Sequence, residues 1–319
     1  MFTGWPADAW RLGNPRSRAA LRELLVETTW DWVVIDQAAC AWAMDELARH
    51  RERWGKLAYI AHNHEGEVRR QVAGEGEGPW PMRMALRFDA HKYAAMEDRL
   101  VAASHLLTAI TPRDEQLFLS AHPGKTTLCL PPGYVGKPHD GPGVNADTPL
   151  AVVLAGAFEW LAKRRNLESF LAAAAPVFPS HGIAFTVVGK APDGYFDALK
   201  EKFPWCEFAC NVPSIAPWLD RARIGLIPEA LGGGFKLKAL DYIFRGLPVA
   251  AIRPALSGLP IDPGQDAIVA GDQEGLARAI ATRIHDTDFL ARAANSALEK
   301  CRHAFDWKDR GAALAEALR

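Results

Sequence analysis

The feature that most constrains this chain is an alternation of short apolar runs with stretches of helical spacing, present in both halves. WVVID (32–36), KLAYIAHN (56–63), LLTAIT (106–111) and TTLCLPP (126–132) read as strands of the first half. Helices are predicted over 17–28, where Leu21, Leu24 and Leu25 share a face, over 39–52, over 82–103, and from Pro112 and Asp114 onward. Near-continuous apolar strands separated by helices belong to parallel sheets covered by helices. The stretch 136–148, GKPHDGPGVNADT, has no apolar period and reads as an interdomain linker. Beyond it the alternation restarts. Strands are predicted at 150–156, 183–189, 222–229, 247–252 and 266–270, and helices near 166–175, at 193–202, 216–221, 237–246, 274–284 and 288–303, with a last helical stretch over 307–319. The predicted architecture is α/β: two Rossmann-like, doubly wound domains over 1–140 and 141–319, the first of them compact, with terminal helices placed to cross back to it.

Bulk properties narrow the function classes. With 319 residues, 49% of them hydrophobic, the chain can bury two cores. Its net charge of -1 provides no global positive field for a nucleic-acid backbone. No uncharged apolar run reaches membrane-span length, and the start, MFTGWPADAWRLGNPR, lacks the layout of a signal peptide. The five cysteines, Cys40, Cys129, Cys206, Cys210 and Cys301, are an odd and scattered set, which predicts reduced thiols in a cytoplasmic protein. Cys206 and Cys210 have no second ligand pair nearby, so no metal site is predicted.

The chemistry concentrates in PEALGGGFKLKALDYIFRGLPVA (228–250). Gly232, Gly233 and Gly234 let the backbone approach a ligand and take positive φ. The helix predicted next presents unpaired amides and a partial positive charge at its start. Lys236 and Lys238 add full charge there, and together these parts suit a diphosphate. Asp241, one turn on, is placed to accept from ribose hydroxyls. Elsewhere, Glu229 at a strand end reads as a sugar contact or as a solvated acid. His62 reads as a ligand to a sugar hydroxyl or as a structural histidine, with His64 as its alternate. Glu65 and Arg69 read as an intrahelical ion pair, and Asp114 as part of a helix start. Trp5, Trp10, Trp30, Trp32 and Trp42 suit an acceptor surface of stacking rings, with core packing the expected place for most of them. Trp80, with the loop 73–81, suits an acceptor lid.

GGGFKLKALDYIFRGLPVA resembles the donor loop and helix of GT-B glycosyltransferases, especially the retaining enzymes of family 4. GAFEWLAKRRNLESFL (156–171), VVGKAP (187–192), PWLDRARIGLIP (217–228) and SGLPIDPGQDAIVAGDQEGLARAI (257–280) are similar to family segments in the same order. In the first half AHNHEGEVRRQV (61–72), AITPRDEQLF (109–118) and LPPGYV (130–135) also fit, so the resemblance covers roughly 30–310. It implies a nucleotide-diphosphate sugar as donor and co-substrate, with no further cofactor and no metal. Lys236 and Lys238 would hold the diphosphate with the amides of Gly233 and Gly234, and Asp241 the ribose. Lys163 and Arg164 would lie near the same phosphates. Gly156, Glu229, Gly232 and Phe235 complete the donor side, and His62 would face the sugar. Asn63, His64, Glu65 and Trp80 fall on the acceptor side. The acceptors implied are glycans, lipid-linked sugars and small molecules.

Two departures from the family pattern stand out. Where the family often has two glutamates separated by seven residues, this chain has Gly233 and Asp241. The first domain also lacks the usual opening strand and Gly-rich loop. The second departure leaves room for a partner or second copy that completes the domain, and for another function class: a non-catalytic homologue binding a nucleotide sugar or a partner glycosyltransferase. A sugar-nucleotide epimerase would need paired acids and bases around the sugar, which the sequence does not assemble.

Overall fold

The computed structural model of the chain describes residues 4–74, 79–136, 138 and 143–319. It divides into two compact units: Met1–Pro131 with Gly232–Gly234 and Lys308–Arg319, and Pro132–Leu231 with Phe235–Trp307. Part of the predicted linker (137 and 139–142), part of the predicted lid (75–78) and the first three residues lie outside the described residues.

The first unit holds a parallel sheet of four strands in sequential order: β1 (Trp30–Asp36), β2 (Trp54–Ala61), β3 (Leu106–Ala109) and β4 (Thr127–Cys129). Its helices are α1 (Ala7–Leu12), α2 (Pro15–Glu27), α3 (Met44–Arg49), α4 (Glu65–Gly74), α5 (Trp80–Ala103) and α6 (Pro112–Ala121). Local chemistry sets several of these ends. The Asn14 side chain accepts from the amides of Arg16 and Ser17, with Pro15 in the first position of α2, and Thr111 caps α6 ahead of Pro112 in the same way. Leu57, Tyr59 and Ala61 of β2 alternate toward a core that they share with Leu107, Ala109, and Tyr93, Met96 and Leu100 of α5. The helix predicted over 39–52 is shorter, because Gln37 takes a φ of 64° and the chain enters α3 through a 3-10 turn over Ala38–Ala43. Core packing, the place expected for most tryptophans, is partial: Trp5 and Trp54 pack partly buried against the first unit's core and Trp205 and Trp218 against those of the second, whereas Trp10 and Trp30 are 60% and 41% exposed.

The second unit is wound on both faces of a six-stranded parallel sheet ordered β10–β9–β8–β5–β6–β7. These are β5 (Ala151–Ala157), β6 (Ala184–Lys190), β7 (Cys206–Cys210), β8 (Ile224–Ile227), β9 (Val249–Ile252) and β10 (Ile268–Ala270), interleaved with α7 (Leu161–Ala174), α8 (Tyr195–Lys202), α9 (Ala216–Asp220), α10 (Lys238–Phe244), α11 (Gln273–Arg283) and α12 (Thr287–Cys301). Strand β5 is buried on both sides. Val152 and Leu154 join Phe170, Phe178, Phe185, Leu276 and Ile280 in one core, while Val153 and Ala155 join Ile227, Tyr242, Ile243 and Ala251 in the other. Strand β7 has no counterpart among the predicted elements. It is an edge strand in which Cys206 and Phe208 turn inward and Glu207 turns out. Helix α7 begins at Leu161 rather than near Asn166. A last helix, α13 (Trp307–Ala317), closes the chain, and its residues from Lys308 onward group with the first unit.

Candidate active site

In an open parallel sheet, ligands bind beyond the carboxyl ends of the strands where the strand order reverses. In the second unit that reversal falls between β5 and β8, with the chain proceeding outward from each. Strand β5 ends around Gly156, and β8 ends one residue before Pro228 and Glu229. Gly156 pairs with Gly189 of β6, whose φ of 145° brings the two backbones so close that a Cβ on Gly189 would stand 1.8 Å from the Gly156 carbonyl oxygen. A Cβ on Gly156 would stand 3.6 Å from Lys238 Nζ, so glycine at 156 keeps space open beside that ammonium.

Three lysines converge on one buried carboxylate at this point. Lys238 Nζ donates to Glu229 Oε1 at 2.5 Å, with side-chain exposures of 12% and 6%. Burial pushes the Glu229 carboxyl up, but the charge and hydrogen bond of Lys238 and the charge of Lys236 outweigh it and hold the group below its usual range. Lys163, in the first turn of α7, is lowered by burial and by repulsion from Lys238. Glu229 Oε2 is buried without a hydrogen-bond partner. The cluster therefore carries more positive than negative charge in a partly dehydrated place, the condition for attracting an anion. The expected helix contribution is smaller than the sequence suggests. Helix α10 starts at Lys238 and spans seven residues, so few peptide dipoles add up there and the ammonium groups carry the field.

The loop bearing Glu229 is pinned by residues that the motif reading did not single out. Asn166, 3% exposed, accepts from the amides of Ala230 and Leu231 at 3.1 and 3.0 Å and donates to the Leu231 carbonyl at 3.0 Å. Gln273 donates to the Pro228 carbonyl at 2.7 Å. Tyr242, fully buried, accepts from the Ala155 amide and so ties α10 to β5. Asp241, expected at the ribose, accepts from the Tyr134 hydroxyl at 2.7 Å through one carboxylate oxygen. Arg164 turns back on its own loop, donating to the carbonyls of Phe158 and Glu159 and packing over Tyr195, so its guanidinium braces the turn from β5 into α7. Phe235 packs against the second core and the ring of Phe305.

Gly232, Gly233 and Gly234 group with the first unit. Gly232 and Gly234 take φ of 94° and 71°, and a Cβ on Gly234 would stand 2.1 Å from Asn63 Oδ1. His62, just past β2, meets Asp36, the last residue of β1, with Nε2 and Oδ1 2.7 Å apart. The parallel pairing of β1 with β2 aligns these two ends. The acid closing WVVID is the sequence signal for this partner. His64 is taken up structurally: its ring stacks on Phe118 at 4.5 Å, and its Nδ1 accepts from the Glu67 amide. Glu65 accepts from Asn63 and pairs with Arg69. Trp80 is the first residue of α5 and is 71% exposed.

Glu97, also missed, organises this segment from beneath. It is 2% exposed and accepts from the Tyr59 hydroxyl and the amides of Glu65 and Gly66 at 2.9, 3.1 and 2.7 Å. Burial nonetheless raises its pKa to about 7. Because the folded value lies above the unfolded one, the folded state holds the extra proton, and its stability contribution falls as pH rises from the ordinary carboxyl range through 7. We expect Glu97 to withdraw about 3 kcal/mol of stability over that interval. Glu97→Gln should flatten this part of the stability–pH profile in denaturant titrations. A profile identical in the two proteins would show that the buried carboxyl does not titrate there.

Comparison with known proteins points the same way. Residues 149–286 match the model of the family described as group 1 glycosyl transferases. Among solved structures, sucrose-phosphate synthase from Thermosynechococcus elongatus superposes with a TM-score of 0.71 at 17% identity, covering 95% of this chain and 76% of that one. Anabaena HepE in complex with UDP-glucose gives 0.66 at 17% identity, with 95% and 81% covered. The pneumococcal O-GlcNAc transferase GtfA in complex with UDP and GlcNAc gives 0.65 at 13% identity, with 94% and 58% covered. At such identities the likeness establishes a shared fold, GT-B. No curated protein matches the chain significantly in sequence.

Proposed function

We propose that this protein transfers a sugar from a nucleotide-diphosphate sugar to an acceptor hydroxyl, a reading supported by the match of residues 149–286 to the group 1 glycosyl transferase model and by the GT-B fold. The observation that carries the reading is the convergence of Lys163, Lys236 and Lys238 on Glu229 where the strand order reverses. Cleaving the bond from the anomeric carbon to the diphosphate loads negative charge on the leaving group. Lysines already fixed in a partly dehydrated pocket stabilise that charge without reorganising. Their charge does the work of a cation, so transfer proceeds without a metal. The sugar takes on oxocarbenium character as the bond breaks. In the retaining course, the leaving phosphate accepts the acceptor's proton and no strong protein base is needed. Within the first unit, Asp36 takes one ring nitrogen of His62 and so fixes the orientation of that ring at the end of β2. A cytoplasmic setting, where thiols stay reduced, belongs to the same reading.

The test is release of nucleoside diphosphate from a panel of nucleotide sugars. UDP-sugars come first, because HepE is a GT-B structure solved with UDP-glucose. Slow release from at least one donor, lost in Lys236→Ala and Lys238→Ala, is the expected result. The compact four-stranded sheet of the first unit favours one alternative, a non-catalytic homologue. Binding without release across the panel would select it.

A further inference from the structure

The opening turns of α5 invert the usual layout of a surface helix. Its buried residues, Ala90, Tyr93, Met96, Glu97, Leu100 and Val101, all lie in its later part. On the first three turns Trp80, Met84 and Phe88 recur at every fourth position. With 3.6 residues per turn, this stripe faces away from the side on which Tyr93, Met96 and Leu100 are buried. The three side chains are 71%, 43% and 52% exposed, and Met82 is 58% exposed. Trp10 of α1, 60% exposed, stands beside the stripe, because Trp10 and Phe88 line one groove with Trp5, Ala85, Leu86 and the stem of Lys92. That arrangement is fixed by the Ala7 amide, which donates to Asp89 Oδ1 at 2.9 Å. A soluble helix places charge where this one places tryptophan, methionine and phenylalanine.

Basic charges predominate around the stripe. Arg83, Arg87 and Lys92 flank it on the helix, Arg11 lies in the adjoining groove, and the acid Asp89 is engaged by the Ala7 amide. We propose that this face of the first unit docks on an anionic membrane surface. The rings and Met84 enter the headgroup boundary, and the arginines and lysine meet lipid phosphates. An apolar face carrying tryptophan and phenylalanine, rimmed by Lys and Arg, is the makeup of helices that lie in that plane. Among the described residues no helix is long and apolar enough to cross the bilayer, so the contact is peripheral. A second copy is the poorer occupant, since a symmetric contact would set this patch against itself and bring arginine to arginine. Residues 79–84 are moreover all exposed. The proposal does not depend on the donor site.

The experiment is flotation of the full chain with vesicles of phosphatidylcholine alone and of phosphatidylcholine with phosphatidylglycerol. Glu75 and Glu77 precede the helix in sequence, outside the described residues, so the two vesicle compositions read the sign of the net attraction directly. The expected result is binding to the anionic vesicles, weakened by salt and reduced at least tenfold in Trp80→Ser/Met84→Ser/Phe88→Ser. These positions are exposed, so the thermal transition should stay where it is. Should the triple variant unfold, quenching of wild-type tryptophan fluorescence by brominated lipid serves in its place and should occur with anionic vesicles only. Equal flotation on both compositions, no flotation on either, or unchanged binding by a folded triple variant would overturn the proposal. So would a dimer that forms without vesicles and is abolished by the same substitutions.

Discussion

Lys238→Ala should abolish nucleoside diphosphate binding and, unlike an ordinary surface lysine substitution, should lower stability by about 3–5 kcal/mol. The second effect follows from burial. Glu229 is 6% exposed and its second oxygen already lacks a partner, so removing the ammonium leaves a dehydrated carboxylate facing only more distant charge. A double variant, Lys238→Ala/Glu229→Gln, should recover most of the stability and none of the binding, separating the two roles. The pH dependence has a definite sign. In the wild type the Glu229 pKa is depressed, so its favourable contribution is present above the ordinary carboxyl range and disappears as pH falls through the depressed value. In Lys238→Ala burial prevails, the carboxyl accepts a proton more readily, and the deficit relative to wild type should shrink on acidification. Chemical denaturation at pH 7 and pH 5 measures both. A deficit that does not change between them would mean that Glu229 is not the group left stranded.

Asn166→Ala should cost about 3 kcal/mol and weaken nucleoside diphosphate binding at least tenfold, although Asn166 carries no charge. It makes three hydrogen bonds to the backbone of residues 230 and 231. Each is worth on the order of 1 kcal/mol, and the buried groups left behind add to the loss. Asn166→Asp separates donor from acceptor: it retains the capacity to accept from both amides but puts a carboxylate against the Leu231 carbonyl, so its stability should fall between alanine and wild type. Denaturant midpoints for stability and calorimetry for binding decide the matter. Equal stability of all three proteins would show that the loop holds itself in place.

Legibility in the sequence followed the physics of each element. Strands such as 150–156 and 247–252 were plain because both faces are buried and nearly every residue is apolar. Strand β7 was not, because an edge strand of five residues needs only Cys206 and Phe208 inward and shows Glu207 to solvent. The glycine–lysine segment was legible as a local pattern. Its counter-charge was read only as a strand-end acid, since Glu229 and Lys238 meet through the return of the chain rather than through helical spacing. Asn166 and Glu97 were hidden for the same reason: each sits at an ordinary position in a helix, and its partners belong to another segment. Trp80 read as a lid because an isolated tryptophan beside a glycine loop suggests one; its relation to Met84, Phe88 and Trp10 required knowing which side of α5 is buried.

The central claim is that the excess lysine charge beyond β5 and β8 exists to hold a diphosphate. A crystal structure of the chain with a bound nucleoside diphosphate tests it most directly. The account requires the two phosphates within hydrogen-bond reach of the Lys236 and Lys238 ammonium groups, next to Gly156. Phosphates seated elsewhere, with both lysines still turned to Glu229, would contradict it.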